Sequence, residues 1–311
     1  MSGSLVSVVI PCYNYGNFLP EAIASIENQT YSNWEIVIAD DGSKEETLKV
    51  VAKYESHPKI KILYLENGGP SRARNLAINA ANGKYILPLD ADDYISPTYL
   101  EQAVQLLDSN PKLGIVYCEA DFFGEQTGRW DLPEYKFPNI LLDNCIFVTS
   151  FFRREDWATV NGFDESFEEW EDYDFWLKLI DLGREVYRIP EILFHYRKGH
   201  VSRSVRTNLD FLPVFARLIK NHRKLYSENT LFFIEKILKQ REDLMEEIHE
   251  LKVKIVAHEK TQDAILRSKE FRIGYYLLHF FSLMKNRIKS LVFPSSGKIS
   301  KTGELKNEYK S

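Results

Sequence analysis

Four short apolar runs, VSVVIP, WEIVIA, IKILYL and KYILPL, occupy residues 6–11, 34–39, 60–65 and 84–89, each closing on a more polar stretch. Continuous aliphatic and β-branched runs of this length suit strands buried on both faces. Between them the spacing turns helical. Leu19–Gln29 carries apolar residues at 19, 22, 23 and 26, Lys44–Tyr54 is helix-favouring, and Pro70–Ala81 places Ala73, Leu76, Ala77 and Ala80 on one side. This alternation predicts an α/β chain with a mainly parallel sheet flanked by helices on both faces. Such sheets bind ligands outside the carboxyl ends of their strands. Three of those ends are polar: Cys12-Tyr13-Asn14, Asp40-Asp41-Gly42-Ser43 and Asp90-Ala91-Asp92-Asp93.

The chain has 311 residues, enough for one large α/β domain with added elements or for two domains. A net charge of −5 speaks against nucleic acid as a partner, because such proteins carry basic surfaces. Cys12, Cys118 and Cys145 form no CxxC pair, which fits a reducing compartment without structural zinc. MSGSLVSVVIP has no basic segment leading into an apolar one, so no signal peptide is expected. Without 18 consecutive apolar residues no spanning helix is expected either, which gives a cytoplasmic location, open to peripheral contact with the inner face of the cell membrane. PCYNYGN follows the first strand, where a dinucleotide fold would show GxGxxG, and no GxxxxGK[ST] phosphate loop is present.

From about residue 205 the character changes, giving expected divisions at 1–205, 206–293 and 294–311. Glu228–Arg267 contains neither Pro nor Gly, and Ile237, Leu244, Leu251, His258 and Ile265 recur every seven residues, with Ile248 and Ile255 four after two of them. Arg241, His258 and Gln262 interrupt this partial heptad seam. It reads as a coiled coil or helical hairpin for homo-oligomer assembly, or as a solitary helix packed on the first domain. Phe271–Phe293 is aromatic and then basic, suited to a membrane interface or to docking on the protein. The Ser/Gly/Lys-rich tail after Pro294 is expected to be disordered.

Two acidic clusters carry candidate chemistry. In Asp90-Ala91-Asp92, residues two apart on an extended segment point the same way, so both carboxylates can face one cation. All-oxygen ligands suit Mg²⁺ or Mn²⁺. The structural alternative is a polar turn in which Asp93 or Ser96 caps the next helix, as Ser43 would in Asp40-Asp41-Gly42-Ser43. The second cluster, Glu168-Glu169-Trp170-Glu171-Asp172-Tyr173-Asp174, sets five acids in seven positions before a helical pattern. Such crowding raises carboxylate pKa values, as a general base requires, although acids in a first helical turn are also favoured by the helix dipole.

In order along residues 5–205, SVVIPCYN, QTYSNWEIVIADDGS, GGPSRARNLAINAANGKYILPLDADD, NGFDESFEEWEDYDFWLKL and HYRKGHVSRS together resemble glycosyltransferase family 2, the inverting nucleotide-sugar transferases with a Rossmann-like GT-A fold. The resemblance implies a GT-A domain with a C-terminal helical extension, a UDP-sugar donor, Mn²⁺ or Mg²⁺, and a glycan or lipid-linked glycan acceptor in surface polysaccharide synthesis. Pro11, Tyr13, Asp40 and Asp41 would line the nucleotide pocket, Asp40 accepting from the base edge. Arg72 and Arg74 would face phosphate or base, the alternative being that one of them serves only the fold; Asp90 would face the ribose side. Asp92 would hold the metal with His200 beside it, and Arg197 would neutralise the diphosphate. Asp172 would be the general base, Glu171 would orient the acceptor, and Trp170 would stack on a sugar or sit in the core. The acceptor pocket is expected largely within Cys118–Ser150. A sugar nucleotidyltransferase and an inactive glycan-binding scaffold are the rival readings. The first lacks its Gly-rich, basic N-terminal loop.

Overall fold

The computed structural model describes residues 3–199 and 211–268, and beyond these residues 272, 273, 275, 277–279, 282, 284 and 285. The chain divides into two compact units, Met1–Phe232 and Phe233–Ser311.

In the first unit, β1 (Val6–Cys12), β2 (Trp34–Asp40), β3 (Ile60–Tyr64) and β4 (Tyr85–Pro88) alternate with α1 (Leu19–Glu27), α2 (Glu45–Val51) and α3 (Pro70–Ala80). Each expected element is present, its ends moved by a few residues at most. β5 (Tyr94–Ile95), α4 (Tyr99–Ser109), β6 (Leu113–Gly124), β7 (Gly128–Trp130), β8 (Phe151–Arg153), α5 (Arg154–Thr159), α6 (Glu171–Asp181) and β9 (Glu185–Lys198) follow. The strands form one sheet in the order β3-β2-β1-β4-β8-β6-β9-β5, with β7 paired to β6.

Only part of this sheet is parallel. β3, β2, β1 and β4 run parallel, as crossover helices require. β8 is antiparallel to both β4 and β6, β7 and β5 are antiparallel to their neighbours, and β6 pairs β9 in parallel across register shifts. Hairpin and loop connections replace most crossover helices beyond residue 110, and the sheet becomes mixed there. Pro88 is tolerated in a central strand for a local reason. Leu89 N–H donates to Val9 O, so the missing donor of Pro88 faces the β8 side, where pairing already stops at Ile86.

The register Cys12↔Asp40 ends β1 and β2 level, and Leu89 N–H carries the β1–β4 ladder to the threshold of Asp90. The aspartates are thus delivered to one crevice by strands whose Val8, Ile10, Ile36, Ile38, Ile86 and Leu87 are fully buried. Behind it, α6 packs Phe175 and Trp176 against Phe152 and Phe163, with ring centroids between 4.3 and 6.0 Å. Each such side chain contributes about 1.5–3 kcal/mol by burial, which fixes the first turn of α6.

The unit continues past residue 205 into α7 (Phe211–Asn221) and α8 (Arg223–Glu228). His222 Nε2 and Asn221 Nδ2 meet the fully buried Asp174 at 3.0 Å each, and the Tyr226 hydroxyl donates to Leu141 O at 2.9 Å. Most of the second unit's described residues belong to one helix, α9 (Thr230–Arg267), 38 residues long. It is unbroken, which corrects the helical-hairpin alternative: no Gly or Pro offers a turn. Among the described residues no helix is long and apolar enough to cross a membrane. Most of Phe271–Phe293 and all of the tail after Pro294 lie outside the described residues.

Candidate active site

A cavity of about 580 Å³ opens where the strand ends meet, with Pro11, Tyr13, Asp41, Arg74, Asp90 and Asp92 on its walls and Trp170, Glu171 and Asp172 closing it from α6. A second cavity of about 300 Å³ shares Asp90 and Asp172 with the first. Trp130, Leu132, Asn144 and Val148 line it, within the segment expected to receive an acceptor.

The loops of the first cavity are tied by polar contacts. Asn14, in the left-handed region at φ 61°, takes the Lys44 N–H on its Oδ1 at 2.8 Å, and its own N–H donates to Ser43 Oγ at 2.9 Å. Ser43 therefore locks two strand-end loops together. It does not cap a helix: α2 follows Lys44 with no side-chain cap. The Asp41 carboxylate accepts from Gly68 N–H at 2.9 Å and Gly69 N–H at 2.8 Å, so it shapes the entry to α3 as well as lining the cavity. Gly69 stands at φ 87°, a conformation that costs little only for glycine. Asp40 lies just beneath. It is 2% exposed, its Oδ2 accepts from Ser43 N–H at 3.2 Å, and its Oδ1 is buried with no hydrogen-bond partner.

Arg72 and Arg74 separate cleanly. Arg72 donates to Glu66 O at 2.7 Å and does not line the cavity. Arg74, 4% exposed, bridges the site: Nη2 reaches Asp90 Oδ1 at 2.8 Å and Nη1 reaches Glu171 Oε1 at 2.9 Å. Burial opposes its charge, but the two carboxylates outweigh burial and hold its pKa above the ordinary arginine range. Next to it, Asn75 binds the 157–165 segment from both ends of its amide, donating to Phe163 O at 2.9 Å and accepting from Phe163 N–H at 3.0 Å.

Asp92 and Asp93 differ from the reading of a polar turn. Burial and the nearby Asp90 charge push Asp92 up to about 7. Asp93 is pushed well above the carboxylate range by burial and by Asp92 and Asp90. Asp93 caps no helix. It is 2% exposed and accepts the Arg197 N–H at 2.9 Å, while α4 begins only after Thr98, without a side-chain cap. Arg197 donates Nε–H to Asp92 O at 2.9 Å, lies over the rings of Phe18 and Phe123, pairs with Glu21, and does not line either cavity. His200 lies outside the described residues. Among the described residues no three His, Cys, Asp or Glu side chains gather as a self-sufficient metal cage.

The 168–174 run is divided by its partners. Trp170 takes φ 65°, rare for an aromatic residue and costing about 1–3 kcal/mol, and this bend sets Glu169, Glu171 and Asp172 along the cavity wall. Asp172 Oδ1 accepts from Tyr173 N–H at 2.7 Å. Asp174 points away from the cavity. Although burial opposes ionisation, hydrogen bonds from His222 and Lys178 bring it down to about 2. Crowding thus does not raise Asp174, whereas Asp92 and Asp93 are both raised. Tyr196, Tyr15, Asn67 and Glu169 also line the first cavity, although the sequence assigns none of them an individual role. Tyr196 stands in the HYRKGHVSRS stretch, where its place beside Arg197 was the available signal.

The model of "Glycosyl transferase family 2" matches residues 7–162, half of the chain. The chain belongs to glycosyltransferase family 2. A model of the N-terminal domain of galactosyltransferase matches residues 141–201. An uncharacterised glycosyltransferase of Rickettsia prowazekii is 31% identical over 243 residues, covering 74% of this chain and 75% of the relative. The chondroitin synthase of Pasteurella multocida is 32% identical over 185 residues, which are 58% of this chain but only 19% of that enzyme. The chain spans less than a quarter of the length of that synthase and of the other first-ranked curated relatives. Among solved structures, S. aureus TarS 1–349 in complex with UDP-GlcNAc superposes with a TM-score of 0.59 at 21% identity, over 71% of this chain and 66% of that one. The Pyrobaculum calidifontis mannosyltransferase PcManGT, in complex with GDP-Man and Mn²⁺, gives 0.51 at 18% identity, over 92% and 86%. The family 2 domain therefore has the expected GT-A fold, its sheet mixed beyond β4.

Proposed function

We propose that the protein is an inverting glycosyltransferase that moves a sugar from a nucleoside-diphosphate donor, with UDP as the favoured nucleotide, to a hydroxyl of a glycan or glycoconjugate in polysaccharide synthesis. The observation that carries this reading is Asp172 on the wall common to two cavities. The larger cavity, floored by the strand ends, takes the donor; the smaller, built from residues 130–148, takes the acceptor. Solved neighbours with UDP-GlcNAc and GDP-Man support the donor class, and polysaccharide synthases among the relatives support the product class.

Asp172 accepts the proton of the acceptor hydroxyl as its oxygen attacks the anomeric carbon, and the nucleoside diphosphate leaves from the opposite face. One displacement inverts the configuration. Pro11 and Tyr13 border the nucleotide, and Oδ1 of Asp40, buried and with no hydrogen-bond partner, suits the imide N–H of uracil. Arg74 holds Asp90 toward the ribose side and Glu171 beside the base. The Asp90/Asp92 pair fits a divalent cation: its donors are all oxygen, and its burial and mutual repulsion, seen at Asp92, call for positive charge. Mn²⁺ or Mg²⁺ held by Asp92 and the donor phosphates would neutralise the departing diphosphate.

The test is turnover of a panel of UDP- and GDP-sugars with Mn²⁺, with and without oligosaccharide acceptors, the product anomer read by NMR. Transfer or slow donor hydrolysis with an inverted product is expected. No turnover with any donor, or retained configuration, overturns the reading.

A further inference from the structure

The long helix α9 leaves a row of large apolar side chains in water. Ile237 is 60% exposed, Leu244 56%, Ile255 56% and Leu251 49%, and Ile234 and Ile248 join the same stripe. A solvated helix gains nothing from such a stripe, and helices of this kind owe their stability mainly to burying it. The stripe has a strict order. With steps of three and four, Ile234, Arg241, Ile248, Ile255 and Gln262 fall at heptad position a, and Ile237, Leu244, Leu251 and His258 at d. Ile at a with Leu at d, as at Ile248 and Leu251 in the central heptad, is the pattern that favours two parallel strands.

The flanking charges choose the same arrangement. In a parallel, in-register pair, each g position faces the e position five residues on in the other helix. Glu247 then meets Lys252 of the second copy, and Lys254 meets the second copy's Glu259. Two-fold symmetry doubles both pairings, giving four attractive contacts. Among the described residues Lys254 pairs with Glu250 at 3.9 Å, a long and exposed contact, so little is given up when it turns to a second helix.

We propose that α9 pairs with α9 of a second copy as a parallel, in-register, two-stranded coiled coil over residues 234–262. Arg241 and Gln262, polar at a, weaken the pair and fix its register, since any shift sets them against Ile248 or Ile255. The pairing rests on the sequence and exposure of α9 alone and is independent of the chemistry proposed for the first unit.

Light scattering of the full chain at micromolar concentration is expected to give twice the monomer mass. Two d-position variants, Leu244→Cys and His258→Cys, are then oxidised separately with diamide. The native cysteines are buried and do not compete. Both variants are expected to form interchain disulfides, because in a parallel pair every d residue meets its own counterpart. A monomer mass, a mass above two chains, or cross-linking at only one of the two positions overturns the proposal, the last indicating antiparallel or staggered helices. Leu244→Glu with Leu251→Glu should give a monomer with unchanged far-ultraviolet helicity in the first unit's unfolding transition. Arg241→Ile should lower the dimer Kd at least tenfold, and an unchanged or higher Kd counts against the register.

Discussion

Replacing Arg74 with methionine tests how the walls of the strand-end cavity are held together. The guanidinium is 4% exposed and pairs at 2.8 Å with Asp90 and 2.9 Å with Glu171. Methionine keeps the length and the apolar stem but removes the charge. Glu171, itself 4% exposed, then loses the cation it faces, while Asp90, with its side chain 33% exposed, recovers water. The larger cost therefore falls on Glu171, the more buried of the two carboxylates. Removing one partner of a buried ion pair costs about 3–5 kcal/mol, a large share of the about 5–15 kcal/mol that holds a typical domain. Urea unfolding should show that loss as a lower midpoint at unchanged slope. In Arg74→Met/Glu171→Gln the buried charge that faced the guanidinium is gone as well, and at least about 2 kcal/mol should return. Arg74→Lys should fall between parent and methionine variant, because an ammonium cannot serve both carboxylates as a fork does. A methionine variant within about 1 kcal/mol of the parent, or a double variant no more stable than the single one, refutes the bridge.

Asp172→Asn should reduce transfer by at least about 10²-fold, the usual contribution of a general base, with donor binding by calorimetry nearly unchanged. Asp92→Asn should abolish the Mn²⁺-dependent part of donor affinity; an unchanged Kd in Mn²⁺ removes Asp92 from that role. In the metal-free protein the folded state binds more protons than the unfolded chain between pH 4 and 7, because Asp92 is raised to about 7 and Asp93 moves the same way. Stability should thus fall as pH rises through that window, by on the order of a few kcal/mol, and saturating Mn²⁺ should flatten the fall. Asp174 acts with the opposite sign. Held down at about 2 by His222 and Lys178, it contributes stability above pH 4 that fades below it, and Asp174→Asn should remove that acid-side slope in a thermal-melting series.

The legible part of the fold is the part whose strands are buried on both faces. β1 to β4 announce themselves as unbroken aliphatic runs, and their crossover helices as 3.6-residue patterns, because burial alone dictates both. β6 and β9 do not. Their pairing shifts register between Leu113 and Ala120, and no periodicity survives such bulges. The same division runs through the site. That carboxylates gather at strand ends is readable from the order of residues, since a strand must aim whatever follows it. What each carboxylate does depends on partners far along the chain. Glu171 meets Arg74 across 97 residues, and Asp174 meets His222 across 48. Within one acidic run, then, an arginine from α3 draws one acid to the cavity wall and a histidine beyond α7 draws another into the core. Asp172 stays on the wall between two cavities because its neighbours are claimed on either side. A residue in one helical turn with two anchored acids is set in place without being buried, which is the condition the proposed role of base requires.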